Sequence, residues 1–351
     1  MDPRTADLTT VALWEGGDVV RLTEVPLPDL KPREVLVRVR LTTVCGSDRH
    51  TVSGRRSAPA PSVLGHEAVG DVVRLGPDAP LADDGVPLAV GDRVVWGVTV
   101  ACGACDRCLT GRSAKCRAVR KVGHEAFASE WPLSGTYARH VVLPDGATLA
   151  RVPDGLPDAV AAPAGCATAT VMAAVEAAGP LEGRRVLVSG AGMLGITAVA
   201  AARDAGAAEI VVTDPDPGRR GLALRFGATS ARATDEPVGL VDVAIELSGA
   251  STAVARALDV LDVGGRLVLA GSVAPGPEVP LDPERVVRGW LTVTGVHNYE
   301  PHHLRAALDL LSRTRDVAPW HELVTPAVDL ASVGALLTGP PAAAPRTAVA
   351  P

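Results

Sequence analysis

Four cysteines within fifteen residues are the feature that most restricts how this chain folds. Their spacing is C-x2-C-x2-C-x7-C, and they are Cys102, Cys105, Cys108 and Cys116. Short spacers let the backbone wrap around one ion, and Zn²⁺ favours four thiolates in a tetrahedron. Two alternatives stay open: an iron–sulfur cluster, although no neighbouring feature indicates electron transfer, and four unrelated thiols. The spacing favours a structural zinc lobe over residues 102–116.

Length and composition separate this chain from several other classes of protein. It has 351 residues, enough for two domains, and 47% of them are hydrophobic. The formal net charge is −6 and the basic residues form no cluster, so a nucleic-acid binder is not expected. The sequence has no uncharged apolar stretch of about 18 residues to span a membrane, and its first residues lack the apolar core of a secretory signal. We therefore expect a cytoplasmic protein with reduced cysteines.

The other two cysteines lie far from the lobe and from each other. Cys45 opens the segment Cys-Gly-Ser-Asp-Arg-His, and His66 lies in a Gly-His-Glu triplet twenty-one residues further along. Cys166 follows the last lobe cysteine by fifty residues. Taken singly, such a cysteine is more often a small buried apolar residue than a metal ligand. Together with the lobe, these three residues indicate a metal site more strongly than any one of them does alone.

In this combination the sequence resembles the zinc-dependent medium-chain alcohol dehydrogenases over nearly its whole length. The resemblance implies that Cys45, His66 and Cys166 hold a catalytic zinc ion whose fourth position is open to water or substrate. Zinc in such a site acts as a Lewis acid on the alcohol oxygen. The resemblance also implies that Glu67 lies beside the metal and exchanges with the bound water. A Glu67 that only pairs with a surface arginine is the alternative.

The same resemblance implies a route for the alcohol proton. Ser47 and His50 lie two and five residues after Cys45, where the family has a relay through a hydroxyl, the cofactor ribose and a histidine near solvent. A hydroxyl both accepts and donates a proton, and histidine titrates near neutral pH. Gly46 departs from some relatives, whose arginine at this position contacts the cofactor pyrophosphate. Arg346, close to the end of the chain, matches another family position for that contact.

A glycine-rich turn indicates a dinucleotide site in the second half of the chain. It follows the apolar segment 185–189, precedes an Ala-rich helix, and consists of Gly190, Gly192, Met193, Leu194 and Gly195 in the pattern G-x-G-x-x-G. Such a turn lets helix N-terminal amides bind a pyrophosphate.

A carboxylate after the next apolar segment predicts the choice of cofactor. Asp214 lies nineteen residues after Gly195, where it can accept hydrogen bonds from the adenosine ribose and repel a 2′-phosphate. NAD is therefore predicted rather than NADP, although Arg219 and Arg220 favour the opposite choice. Gly271, after a later strand, is predicted at the same cofactor-binding edge.

Two kinds of patterning predict two domains in an α/β protein. Strands and helices alternate over residues 167–296, which predicts a doubly wound parallel sheet, the Rossmann domain that binds NAD. Short β-branched strands separated by Pro/Gly turns precede it and match the irregular all-β, GroES-like catalytic domain of the family. We expect residues 1–166 and 297–351 to form that zinc-binding domain.

Candidate substrate-binding residues follow the relay, the lobe and the last strand. They are Arg56, Lys121, His124 and His297. Basic groups that converge on a pocket favour an anionic substrate, although surface arginines are common in this composition. Several segments, among them Trp96-Gly-Val-Thr and Gly295-Val-His-Asn, resemble a subgroup associated with phosphonate metabolism. That resemblance implies a hydroxyalkyl phosphonate as substrate.

The leading hypothesis is therefore a zinc- and NAD-dependent alcohol dehydrogenase that binds two zinc ions per chain. It would act on a small alcohol or aldehyde, with no nucleic-acid or membrane partner, as a homodimer or homotetramer. A polyol or amino-alcohol dehydrogenase with the same machinery is the first alternative. A non-catalytic nucleotide-binding redox sensor is the second.

Overall fold

The computed structural model describes residues 7–351, which divide into two compact units. The first unit runs from residue 7 to Cys166 and includes Glu300–Leu308 and His321–Pro351. The second unit comprises Ala167–Tyr299 and Asp309–Trp320. The chain therefore leaves the first unit after Cys166, where the sequence predicts the boundary. It returns at Glu300, three residues after the predicted return at 297.

Residues 309–320 pack with the second unit, although they lie within the predicted catalytic domain. The ring of Trp320 packs edge-on against Phe226, with ring centroids 5.2 Å apart. Arg313 donates to Asp204 over 2.7 Å. A buried aromatic contact and an ion pair thus hold this segment, and neither partner is near it in the sequence.

Short strands carry most of the regular structure of the first unit and the central sheet of the second. In chain order they are β1 (Leu8–Gly16), β2 (Val19–Pro26), β3 (Val35–Val44), β4 (Ser62–Val63), β5 (Ala68–Leu75), β6 (Arg93–Val100), β7 (Arg120–Lys121), β8 (His140–Leu143), β9 (Ala147–Arg151), β10 (Arg185–Ser189), β11 (Glu209–Thr213), β12 (Ser230–Arg232), β13 (Val241–Glu246), β14 (Leu261–Leu269), β15 (Thr292–Gly295), β16 (Val328–Asp329) and β17 (Thr347–Ala350).

The longer helices lie mainly in the second unit. In chain order the helices are α1 (Gly46–Val52), α2 (Asp106–Leu109), α3 (Asp158–Ala161), α4 (Ala167–Ala178), α5 (Met193–Asp204), α6 (Pro217–Phe226), α7 (Ser251–Asp259), α8 (Pro283–Gly289), α9 (Pro301–Thr314) and α10 (Val333–Thr338). In residues 7–351 no single helix is long and apolar enough to cross a membrane. Two helical segments that meet at a bend, Asp158–Gly165 and Ala167–Ala178, are long and apolar enough only when they are counted together. This rests on length and composition alone.

Antiparallel pairing builds the first unit. One sheet has the order β16-β17-β3-β5-β6-β7, with β8 added to β3 and β9 to β6, and a smaller sheet has the order β2-β1-β4. The core is made of Val and Leu with the fully buried Trp96. β17 pairs with β3 so that Thr347 lies opposite Val44. This register brings the end of the chain next to Cys45.

The second unit is a six-stranded parallel sheet with the order β12-β11-β10-β13-β14-β15. Its central strands are buried on both faces, which explains their continuous Val, Ile and Leu runs. The strand order reverses between β10 and β13, and ligands of such sheets bind beyond the carboxyl ends at this point. The predicted doubly wound Rossmann sheet is confirmed.

Candidate metal and cofactor sites

The four lobe cysteines converge in the first unit. Sulfur–sulfur separations are 3.5 Å for Cys105–Cys108, 3.9 Å for Cys105–Cys116 and 3.4 Å for Cys102–Cys116. A tetrahedral zinc ion with bonds of about 2.3 Å needs sulfurs about 3.8 Å apart, so this donor set fits zinc. Amide donors of Arg117 and Cys108 lower the pKa of Cys105 to about 6, which favours the thiolate that a metal binds.

A distant carboxylate holds the lobe in place. Glu300 Oε2 accepts hydrogen bonds from Ser113 N over 2.9 Å and from Ser113 Oγ over 2.5 Å. Its Oε1 accepts one from Ala114 N over 3.0 Å. Charged acceptors satisfy the free amides of a short turn, here the 3-10 helix that precedes Cys116. Glu300 is not a predicted site residue, because nothing near it in the sequence indicates this contact.

A second cluster of metal-binding side chains lies in the same unit. Ligand atoms of Cys45, His66, Glu67 and Cys166 all lie within 4.8 Å of one another. Cys45 follows β3, His66 and Glu67 lie between β4 and β5, and Cys166 follows a short 3-10 helix. Two sulfurs, an imidazole and a carboxylate form a donor set that zinc accepts, and all of the residues except Cys166 are buried. The cluster can therefore hold a metal ion.

The two sulfurs of this cluster compete for one proton. The Cys166 thiol donates to Cys45, and together with the charges of Arg346 and His66 this lowers the pKa of Cys45 well below its usual value. The same hydrogen bond, reinforced by burial, raises the pKa of Cys166 well above its usual value. One thiolate is thus already stabilised by the protein, and a bound divalent ion would deprotonate the other.

Asp48 orients the imidazole of the cluster. Its Oδ1 lies 3.2 Å from His66 Nδ1, and both side chains are buried. Burial opposes a charge on both groups, but their attraction outweighs it: the pKa of His66 is raised and that of Asp48 is lowered. A carboxylate beside Nδ1 favours the proton there and leaves Nε2 as the metal-binding nitrogen. The only sequence signal for Asp48 was an acidic residue at the third position of α1.

Arg346 contacts two side chains of the cluster. Its Nε donates to Glu67 Oε2 over 2.6 Å, and its Nη2 donates to Glu67 Oε1 over 2.9 Å. Nη2 also lies 3.5 Å from Cys45 Sγ. Burial raises the pKa of Glu67, and the guanidinium counteracts that rise. The β17–β3 pairing buries this arginine in the first unit. The pyrophosphate contact stays a prediction.

The relay residues are only partly brought together. Ser47 Oγ lies 3.2 Å from His66 Nε2, so the hydroxyl is at the metal-binding nitrogen. His50, on the same helix, lines a cavity of about 270 Å³ with Arg49 and Leu337. Among the described residues no hydrogen bond joins Ser47 to His50. The relay stays a prediction.

Three of the four candidate substrate residues lie near the cluster. The His124 ring centroid is 5.4 Å from that of His66, and burial lowers the pKa of His124 to about 3. Its Nδ1 lies 2.7 Å from Val122 O, which places the proton of the neutral ring on Nδ1. Burial, followed by the charge of Arg56, lowers the pKa of Lys121. His297 belongs to the second unit, where it follows β15 and is exposed.

The glycine-rich turn of the second unit has the form that a pyrophosphate needs. Gly195 is required by the protein itself, because a Cβ there would lie 1.8 Å from Gly190 O. A Cβ at Gly192 would meet nothing within 4 Å, so the space beside the start of α5 stays open to a ligand. Close packing at one glycine and open space at another match the two roles that glycines have in dinucleotide turns.

Asp214 is buried and connects the glycine turn to the end of β11. Its Oδ2 accepts a hydrogen bond from Ala191 N over 2.7 Å, and its Oδ1 accepts one from Asp216 N over 2.8 Å. Arg220 is held by the carbonyls of Asp214 and Pro215. A carboxylate has further lone pairs, so ribose hydroxyls remain possible partners. Arg219 lies in the first turn of α6, whose N-cap is Asp216.

Glu246, which the sequence analysis did not single out, fixes the loops at the carboxyl ends of β13 and β14. Its Oε1 accepts hydrogen bonds from Ser248 N, Ser248 Oγ and Gly249 N at 2.6–2.7 Å. Its backbone carbonyl accepts from the amide of Gly271. The predicted cofactor residue Gly271 is thus held at the carboxyl end of β13, one of the two strands between which the strand order reverses.

Comparison with known proteins identifies the family. Residues 31–154 match the alcohol dehydrogenase GroES-like domain, and residues 194–313 match the zinc-binding dehydrogenase family. An L-threonine 3-dehydrogenase from Anaeromyxobacter dehalogenans is 35% identical over 313 residues, which cover 82% of this chain and 85% of that relative. The chain belongs to the zinc-binding medium-chain alcohol dehydrogenase family.

Solved structures of this kind have the same fold. An alcohol dehydrogenase from Thermotoga maritima has a TM-score of 0.91 at 25% identity and covers 98% of this chain and 100% of its own. A zinc-binding dehydrogenase from Sinorhizobium meliloti, bound to NADP, has a TM-score of 0.87 at 25% identity, with the same coverage. The predicted GroES-like and Rossmann combination is confirmed, and so is the prediction of an oxidoreductase.

Proposed function

We propose that this medium-chain dehydrogenase oxidises a small alcohol that carries an anionic group, with NAD as the hydride acceptor and zinc at the Cys45 cluster. The buried cluster of two sulfurs, one imidazole and one carboxylate carries the proposal. We assign Cys45, His66 and Cys166 as the ligands of the catalytic ion and the four lobe cysteines as those of the structural ion.

Different residues of the first unit would bind the metal, accept the proton and balance the charge. Cys45, His66 and Cys166 would hold a zinc ion that supplies Lewis-acid polarisation of the alcohol hydroxyl, and NAD would supply the hydride acceptor. Metal binding at His66 Nε2 would free the Ser47 hydroxyl, 3.2 Å away, to accept the substrate proton while it donates its own. His50 would be the end of this predicted relay and would release a proton to solvent. Glu67 stays neutralised by Arg346, so it does not repel a hydroxyl that is losing its proton.

NAD, rather than NADP, is the cofactor that the carboxylate at the end of β11 favours. Asp214 is buried beside the glycine turn, where a 2′-phosphate would meet its negative charge. The nearby Arg220 donates to backbone carbonyls, so it is already engaged. NAD specificity follows if this carboxylate binds the ribose.

Replacing Asp214 with glycine is expected to weaken NAD binding about tenfold and to raise the ratio of NADP affinity to NAD affinity. The change removes both the negative charge and the anchor of the Ala191 amide. Binding titrations of both cofactors measure the ratio. D204A is the control, because it removes a carboxylate of the same unit that pairs with Arg313, and it should leave the ratio unchanged. An unchanged ratio in D214G would mean that another residue reads the ribose.

Basic groups beside the cluster support an anionic substrate. Lys121 and Arg56 are close enough for the charge of one to lower the pKa of the other, and Cys166 contributes to the same field. An anion between them would relieve that repulsion, and a guanidinium suits the oxygens of a phosphonate. A hydroxyalkyl phosphonate is therefore our preferred substrate class.

A substrate panel tests this choice. We expect kcat/KM for 2-hydroxyethylphosphonate to exceed that of its uncharged dimethyl ester about 10–100-fold. This is the rate ratio that one hydrogen bond to a charged group contributes. K121M should remove most of this difference. The pKa of Lys121 is lowered, so its positive charge should be lost as the pH rises through that pKa. The preference for the phosphonate over its ester should be lost over the same pH range.

The control for K121M is R120M, since Arg120 is the preceding residue and lies over the Trp131 ring. Equal kcat/KM for the phosphonate and its ester would refute anion recognition. L-threonine belongs in the panel because the relative from Anaeromyxobacter dehalogenans is named for it. A clear preference for L-threonine would establish the amino-alcohol alternative instead.

The edge of the parallel sheet supports a homodimer. β15 is an edge strand, and Trp290 just before it is 80% exposed. None of the residues of the neighbouring α8 is buried. An unpaired edge flanked by apolar side chains is a surface that soluble proteins cover. We propose that two copies pair along β15.

A further inference from the structure

A buried tyrosine hydroxyl lies behind the cluster that we propose binds the catalytic zinc. Tyr137 is fully buried, and its hydroxyl donates to Asp48 Oδ2 over 2.7 Å. The same oxygen accepts a hydrogen bond from Cys45 N over 3.1 Å, and the other oxygen, Oδ1, faces His66. With both partners in place, the carboxylate has no freedom to rotate away from the imidazole.

The ring of Tyr137 also supports the loop that carries His66. A Cβ at Gly65 would lie 2.9 Å from Tyr137 Cδ1 and 2.6 Å from Thr136 Oγ1, so only glycine fits there. The backbone at Gly65 has φ +90°, a conformation that glycine adopts without strain. Tyr137 N donates to Leu64 O over 3.0 Å. Ring and backbone therefore fix the loop, whereas the hydroxyl acts on Asp48 alone.

We propose that Tyr137 is a positioning residue for the catalytic metal, acting through Asp48 on His66. A buried carboxylate with too few donors turns toward whatever donor it can reach, and here the Tyr137 hydroxyl removes that freedom. Groups that orient a ligating histidine control how tightly the ion is held. The inference rests on the proposed zinc site, and it concerns the retention of the metal.

The variant Y137F tests the inference because it removes the hydroxyl and keeps the ring against Gly65. Zinc transfer to an excess of a chromogenic zinc chelator, followed by the absorbance of its zinc complex, should show two equivalents in the wild type. In Y137F we expect one equivalent to leave about 10–100-fold faster. The equivalent held by the lobe should leave at its wild-type rate and is an internal control.

The matched control is S134A, which removes a fully buried hydroxyl from the same segment. In the described part of the chain, Ser134 Oγ has no hydrogen-bond partner. Cobalt substitution provides the readout that a merely structural role would not change: the visible spectrum of the cluster should shift in Y137F and not in S134A. Wild-type release and an unshifted spectrum in Y137F would overturn the inference. A wild type that binds only the lobe zinc would instead remove the proposed function.

Discussion

Serine in place of Cys45 or Cys166 is expected to abolish alcohol oxidation while NAD binding remains. Either change removes a thiolate from a buried ligand set, and a hydroxyl does not replace it as a ligand for zinc. The Lewis-acid contribution is several kcal/mol, so kcat should fall by about 10³-fold or more. Zinc content should fall from two ions per chain to one. The glycine turn lies in the second unit, which explains why NAD still binds.

The lobe offers the control for this experiment. C105S should also remove one zinc ion, but its first effect should be on thermal stability, because the lobe ion closes a loop. The two kinds of variant therefore lose the same amount of metal with different consequences. Wild-type kcat in C45S or C166S would remove that cysteine from the ligand set.

Replacing Arg346 with methionine is expected to produce the largest loss of stability. Arg346 is 6% exposed and Glu67 is 0% exposed, so the variant leaves a carboxylate without its partner in the interior, close to the Cys45 sulfur. Breaking a buried pair from one side costs about 3–5 kcal/mol of unfolding free energy. Denaturant unfolding of the metal-loaded enzyme measures this loss.

A double variant separates charge from packing at this position. R346M/E67Q removes both charges, so it should recover most of the lost stability. R346K keeps a charge but not the two parallel hydrogen bonds to Glu67, and it should fall between wild type and R346M. If R346M and wild type unfold at the same denaturant concentration, Glu67 is not ionised in the folded protein.

Long-range contacts are the part of the structure that the sequence did not reveal. Arg346 is 279 residues from Glu67, and the pairing of β17 with β3 brings the two together. Tyr137 is 89 residues from Asp48, in a segment without any motif. Residues 309–320 were predicted in the catalytic domain, because nothing in their sequence indicates the contact between Trp320 and Phe226.

The sequence by itself determined the features that a few consecutive residues build. Four cysteines in fifteen residues define the lobe, and a strand, a glycine turn and a helix define the nucleotide half, because chain connectivity alone keeps those atoms close. Family resemblance was needed to join Cys45, His66 and Cys166. Only the tertiary structure decided which charges surround them. The buried partners of that cluster come from segments next to different strands, and strand register, set by packing over the whole unit, determines which side chains meet.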